Sequence, residues 1–248
     1  MCKLSGMKLI LAVCSVLAVG FVCASPVLGN PVLGQNDDFQ SGAGNWQGGG
    51  QATHSDASKV ISTGGPAGTG DQYLQIDSSI GMDDTQAAPR LLAISTLPAT
   101  EWTGDYFDAG VTSVSMWLLN PNPSTTLDMR IAFRDGTTNA SPAWVTTNPV
   151  VLQPTSGWQF EVFPIDQADM TPVGSPQGTF AAFMSAVQEF RIVDSATATY
   201  VGDQFGSQTY FGVDDIMAVP EPSTFVLAGL GLTALIAARR RRRFVPIA

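Results

Sequence analysis

Cysteine is confined to a short stretch: Cys2, Cys14 and Cys23 are the only three in 248 residues, all near the N-terminus. The remainder can form neither a disulfide nor a thiolate metal site, so a packed core has to hold it together. Histidine is almost as scarce. His54 stands alone, which excludes a histidine-rich zinc centre and leaves any Ser-His-Asp arrangement one candidate base. It follows the run Gly48-Gly49-Gly50-Gln51-Ala52-Thr53, a turn-rich surface stretch with no Gly-x-Ser-x-Gly nearby. Bases are few between Ser25 and Val219: Lys59, Arg90, Arg130, Arg134 and Arg191 face 20 acids, a net of −15. Phosphate backbones would be repelled, so nucleic acid is not an expected partner. The glycines from Gly64 to Gly70 lack a following Lys-Ser/Thr and form a loop rather than a phosphate cradle. A glycosidase needs a paired acid and base, but Asp83-Asp84 and Asp214-Asp215 are adjacent, pointing to opposite faces when extended. No enzyme activity is expected.

Two uncharged apolar runs mark the ends. Lys3 and Lys8 precede an apolar stretch from Leu9 to Val22, and Val22-Cys23-Ala24 fits the small-residue cleavage rule. Residues 1–24 therefore read as a signal peptide for signal peptidase, with Ser25 as the first mature residue. Leu11-Ala12-Val13-Cys14 is a poor lipoprotein box, placed too early in the run. At the other end Pro220, Glu221 and Pro222 keep the chain extended before Ser223 can cap a helix. Residues 223–238 would make a helix of about 24 Å, long enough to cross a bilayer with local thinning or snorkelling. Arg239, Arg240, Arg241, Arg242 and Arg243 hold its far end on the cytoplasmic side.

Pro220-Glu221-Pro222, the apolar run and the arginine cluster, in that order, resemble the PEP-CTERM sorting signal of Gram-negative bacteria. Phe244 to Ala248, past the arginines, depart from the usual ending. The resemblance implies an exosortase as processing partner. It also implies an inner-membrane anchor before processing, then residence at the cell surface or in an exopolysaccharide or biofilm matrix.

Between the ends, residues 25–35 read as a linker and 36–218 as one ectodomain, followed by the sorting segment 219–248. Leu127, Met129, Ile131 and Phe133 alternate along one strand, as do Val114, Met116 and Leu118 before the turn at Pro121-Asn122-Pro123-Ser124. Further strands are expected over 72–77, 144–146, 158–163, 190–193 and 209–217. Thr179 can cap one helix carrying Phe180, Phe183, Met184 and Val187 on a single face. Short strands between turn clusters predict an all-β fold, an antiparallel two-sheet sandwich of jelly-roll type with one short helix.

Asp37-Asp38-Phe39, Gly44-Asn45-Trp46 and Phe211-Gly212-Val213-Asp214-Asp215-Ile216 are similar to stretches of galactose-binding-like jelly rolls. Ser156-Gly157-Trp158 and Phe190-Arg191-Ile192 resemble laminin-B-type modules. This likeness implies a structural calcium ion joining the first and last strands, held by Asp38 with Asp214 or Asp215; an acidic chain without thiols suits that hard ion. Sugar binding would need aromatic platforms, for which Trp46, Trp102, Tyr106 and Trp144 are the candidates. Arg130 and Arg134 share a face with Asp128 and are expected to form a charge ladder. The expected function is a non-catalytic envelope or matrix protein. The alternative is a carbohydrate-binding module in polysaccharide adhesion, and a glycoside-active enzyme is a more distant third.

Overall fold

The structure, a computed structural model, describes residues 31–48, 58–78, 92–96, 101–136, 141–176, 178–203 and 209–220. The expected signal helix, the apolar tail helix, Glu221, Pro222 and the five arginines lie outside these residues, as do His54 and the pair Asp83-Asp84. Among the described residues no helix is long and apolar enough to cross a membrane.

The described residues form thirteen strands in chain order: β1 (Asn36–Asp37), β2 (Gln47–Gly48), β3 (Ser58–Ile61), β4 (Tyr73–Asp77), β5 (Leu92–Thr96) and β6 (Ser113–Leu119), then β7 (Leu127–Arg134), β8 (Ala143–Thr146), β9 (Val150–Leu152), β10 (Gln159–Pro164), β11 (Met170–Val173), β12 (Glu189–Asp194) and β13 (Tyr210–Val219). They make two antiparallel sheets. The first, of six strands, runs β10-β6-β13-β4-β3, with β1 also on β13. The second, of seven, runs β11-β8-β7-β12-β5-β2, with β9 also on β7. Apart from the consecutive pairs β3–β4 and β7–β8, neighbouring strands are not consecutive in sequence, as in the expected sandwich.

Period-two alternation decides what lies between the sheets. Val114, Met116 and Leu118 from β6 meet Leu127, Met129, Ile131 and Phe133 from β7, all of them fully buried. Phe133, Phe190, Trp102 and Trp46 continue this core as an aromatic column with ring centroids 5.2–6.3 Å apart. The helix α1 (Phe180–Met184) starts as expected, with Thr179 Oγ1 accepting from Ala182 N at 3.2 Å. It is shorter than its apolar spacing suggested, because Val187 leaves it to exchange backbone bonds with Gly104 (2.7 and 3.0 Å).

The outer face of the second sheet departs from expectation. Arg130 and Arg134 are buried, not a solvated ladder, because residues 195–203 cross over them. Arg130 donates to the carbonyls of Ser195, Ala196, Thr146 and Thr147. Arg134 bonds Glu189 at 2.7 Å and lies 4.4 Å over the Tyr200 ring, while Arg191 bonds the same carboxylate and the Tyr200 carbonyl. These buried guanidiniums fasten a strap by giving its backbone carbonyls charged donors.

Candidate functional site

The outer face of the first sheet carries the candidate site, and strand register builds it. Phe160 stands opposite Trp117, and Trp117 opposite Asp214, so all three point away from the core in one row. Trp117 and Phe160 meet edge to face at 5.4 Å, and Tyr73 and Trp158 do so at 5.0 Å. Gly212 lies beneath the second pair. A Cβ there would lie 3.1 Å from each of Trp158, Tyr73 and Leu119, a tight contact that glycine avoids as these side chains close over β13. Trp158 is fixed by its indole N–H, which donates to Gly64 O at 2.8 Å. Phe160 remains 52% exposed and Val162 beside it is also exposed, while Lys59 and Gln75 supply polar groups across the same face. Such a surface can stack against an apolar ring face and hydrogen-bond its edges.

Beyond Trp117 the row ends in carboxylates. A β-bulge between Asp214 and Met217 puts the extra residue Asp215 at φ 49° and passes the neighbouring edge of β13 from β4 to β1. The bulge turns the two aspartates apart. Asp214 is buried and accepts from Asp215 N at 2.8 Å, while Asp215 is half-buried and accepts from Asn36 Nδ2 at 3.0 Å. Burial pushes the Asp214 carboxyl up to about 7; the Asp215 N–H opposes this, and the charges of Asp215, Asp71 and Asp38 add to it. Asp71 approaches from the glycine loop: a Cβ on Gly65 would stand 2.5 Å from its Oδ2 and 3.1 Å from Asp214 Oδ2. Gln40 Nε2 links Asp71 Oδ1 at 2.9 Å to the Asp38 carbonyl at 3.1 Å. Asp38 is exposed, its carboxylate turned to Gln40 N. Asp71 thus reaches the Asp214 carboxylate from a separate loop, while the Asp215 carboxylate is turned to Asn36. Among the described residues no group of three or more His, Cys, Asp or Glu side chains is placed to hold a metal ion. The donors converging beneath Gly65 are the two carboxylates of Asp71 and Asp214, hard oxygens of the kind calcium takes.

The aromatics proposed from sequence have other places. Trp46, Trp102 and Tyr106 are buried in the core, unavailable to a ligand. Both indole N–H groups donate to Asp37 Oδ2, at 2.5 and 2.7 Å, and Tyr106 Oη donates to Trp102 O at 2.8 Å. Asp37, not Asp38, is therefore the inward carboxylate of the first strand, and its position helps raise the neighbouring Glu101 carboxyl, though burial raises it more. Trp144 is half-buried edge-on to Phe180 at 4.8 Å, its enclosed N–H without a partner. The surface rings had a signal in the sequence. Trp117 falls between the inward Met116 and Leu118, and Phe160 is an odd number of residues from the inward Phe163.

Solved structures similar to this chain are carbohydrate-binding modules. A family 11 module from Clostridium thermocellum, in complex with a β-1,3-1,4-mixed-linked tetrasaccharide, is 16% identical with a TM-score of 0.43, covering 76% of this chain and 97% of its own. A family 30 module of a cellulosomal cellulase of the same organism is 17% identical at TM-score 0.39, covering 79% and 95%. The xylan-binding domain of family 22 is 18% identical at 0.38, covering 75% and 93%. With TM-scores this low, those modules' ligands decide nothing here. No curated protein matches the chain. The end of β13 is more telling. Pro220 is the last described residue, and residues 218–243 match the PEP-CTERM protein-sorting motif, so this chain carries the sorting signal of an exported, exosortase-processed protein.

Proposed function

We propose that this is a non-catalytic glycan-binding protein of the envelope or exopolysaccharide matrix of a Gram-negative bacterium. Signal peptidase removes residues 1–24, the apolar tail holds the chain in the inner membrane, and an exosortase then processes it near Pro220 to Ser223. The observation that carries the binding half is the aromatic row Trp117–Phe160 with Trp158 and Tyr73, on a sheet face that Phe160 and Val162 leave open to solvent. An exposed ring such as Phe160 costs solubility and contributes nothing to this core. A sugar-ring partner offsets that cost, and the net charge of −15 between Ser25 and Val219 leaves neutral or cation-bridged polysaccharide as the compatible class.

Calcium belongs to the same proposal. Asp71 and Asp214 would hold it, with Asp38 near enough to add charge, and the bound ion would relieve carboxylate repulsion at the end of the aromatic row. The test of binding is retention of the Gln35–Val219 fragment on a panel of insoluble and soluble polysaccharides. Wild type should be retained in a salt-insensitive manner, and Phe160→Ala or Trp117→Ala should weaken retention about 30-fold, as expected for a central ring contact. Retention of neither wild type nor variants, or equal retention of all three, would remove the glycan reading and leave only the sorting half.

A further inference from the structure

Both ends of the sandwich leave it at one pole. Gly34 N donates to Ala218 O at 2.8 Å, and Thr112 N to Val219 O at 3.1 Å, so residues 31–35 and Pro220 emerge side by side. Around that exit Val32, Leu33 and Phe107 are 62%, 43% and 64% exposed, three of the six most exposed large apolar side chains described. They are neighbours. Leu33 Cδ1 is 4.0 Å from where a Cβ on Gly110 would stand, and Gly110 N donates to Phe107 O at 3.1 Å. An apolar cavity of about 130 Å³ lies beside Phe107, lined by Val111, Ile165, Phe180 and Met184 among others.

The chain beyond Pro220 fixes what such a patch meets. The uncharged run begins at Thr224, four residues on, which is at most about 14 Å of extended chain. If that run sits in a bilayer, this pole is held within that distance of the lipid surface. Exposed Phe, Leu and Val there lose water contact by entering the interface. Glu101, Asp108 and Asp166 are exposed at the same pole and would be repelled by anionic headgroups. We propose that Val32, Leu33 and Phe107 form a membrane-apposed surface that seats the unprocessed domain on zwitterionic lipid. It would hold the sandwich upright over the tail, present the Pro220–Pro222 element at a fixed height above the bilayer, and direct the aromatic sheet face sideways. The seating rests on the proposed membrane insertion of the tail and ends when the tail is cut.

The chain's cysteines all lie before Ser25, so replacing them with serine permits single labelling sites in the full-length protein. A fluorophore is placed on F107C, L33C, V151C or S223C, the chain is reconstituted in phosphatidylcholine vesicles, and quenching by headgroup-attached nitroxide lipid is measured, with circular dichroism checking each fold. Quenching at positions 33 and 107 should be severalfold stronger than at 151 and should fall when a third of the lipid is replaced by phosphatidylglycerol. Strong quenching at 223 with 33 and 107 as weak as 151 would overturn the seating while sparing the inserted tail. Absence of quenching at 223 would overturn the insertion reading and the seating with it. Protection at 107 appearing only with co-reconstituted exosortase would make the patch a protein contact and also overturn the seating.

Discussion

The two outer sheet faces of this sandwich solve the same problem in opposite ways. Over the second sheet, a strap from Ser195 to Asp203 covers Ala132, Val145 and two arginines, and every guanidinium is answered by Glu189, Tyr200 or a carbonyl. Over the first, Phe160 is exposed and Trp117, Trp158 and Tyr73 are half-buried, the glycine loop reaching Trp158 and Asp214, and polar neighbours line the same surface. A covered face contributes to stability and nothing can bind it. An open aromatic face contributes little to folding and keeps its rings available. The comparison teaches where substitution should be felt as unfolding and where as loss of a ligand.

Glu189 should show the largest effect. Glu189→Gln leaves Arg134 and Arg191 buried without their carboxylate and should cost about 3–5 kcal/mol in chemical denaturation. Phe133→Ala, in the core between the sheets, should cost a similar amount. A loss below about 1 kcal/mol at Glu189 would mean the strap is not held by charge.

Calcium probes the end of the open face. An ion binding only the folded domain at a hundredfold excess over Kd should add about 2.7 kcal/mol, read as a calcium-selective rise in Tm. Asp214→Asn or Asp71→Asn should abolish that rise and Asp215→Asn should not, since Asp215 is turned toward Asn36. An equal response to magnesium or to sodium chloride would assign it to charge screening.

A pH titration of Asp194→Asn beside wild type separates the carboxyl next to the strap from Asp214, which is also pushed up to about 7. Burial, reinforced by the charges of Asp203 and Asp128, pushes the Asp194 carboxyl up to about 7, although Asp128 N donates to it. The folded state then holds a proton that the unfolded chain has released above about 3.9, so this residue's contribution is full below that value and is lost as pH rises through about 7. Urea denaturation should show stability declining from pH 5 to pH 8, with a shallower decline in Asp194→Asn. The smallest effect belongs to the open face. Phe160→Ala should change stability by no more than about 0.5 kcal/mol while weakening polysaccharide retention about 30-fold, a dissociation between folding and binding that no strap residue should show.

Strands with clean alternation were legible in the sequence because one face had to be apolar: β6, β7, β10, β12 and β13 fall within a residue or two of expectation. The strands β3, β5, β9 and β11 were not: β3, β9 and β11 have only three or four residues, and β5 is supported by β12, far along the chain. The same distinction governs the site. That Trp117 points away from Met116 and Leu118 is written in their order, but that Phe160 lies opposite it required the pairing of β6 with β10. Trp46 and Trp102 misled because loop aromatics of a sandwich look alike in sequence, and only the approach of Asp37 to both indoles draws them inward.

By itself, the sequence determined the sorting signal, the exclusion of disulfides after Cys23, the charge and the all-β character. Each depends on composition, contiguous order or a two-residue period, and none needs one segment to find another. Tertiary structure alone decided that Asp71 joins Asp214 beneath Gly65 while the Asp215 carboxylate turns to Asn36, that the arginines are buried under a strap, and that one sheet face is left open. Those outcomes are set by register and by a bulge at Asp215. A shift of one residue in either would send the same side chains to the opposite face.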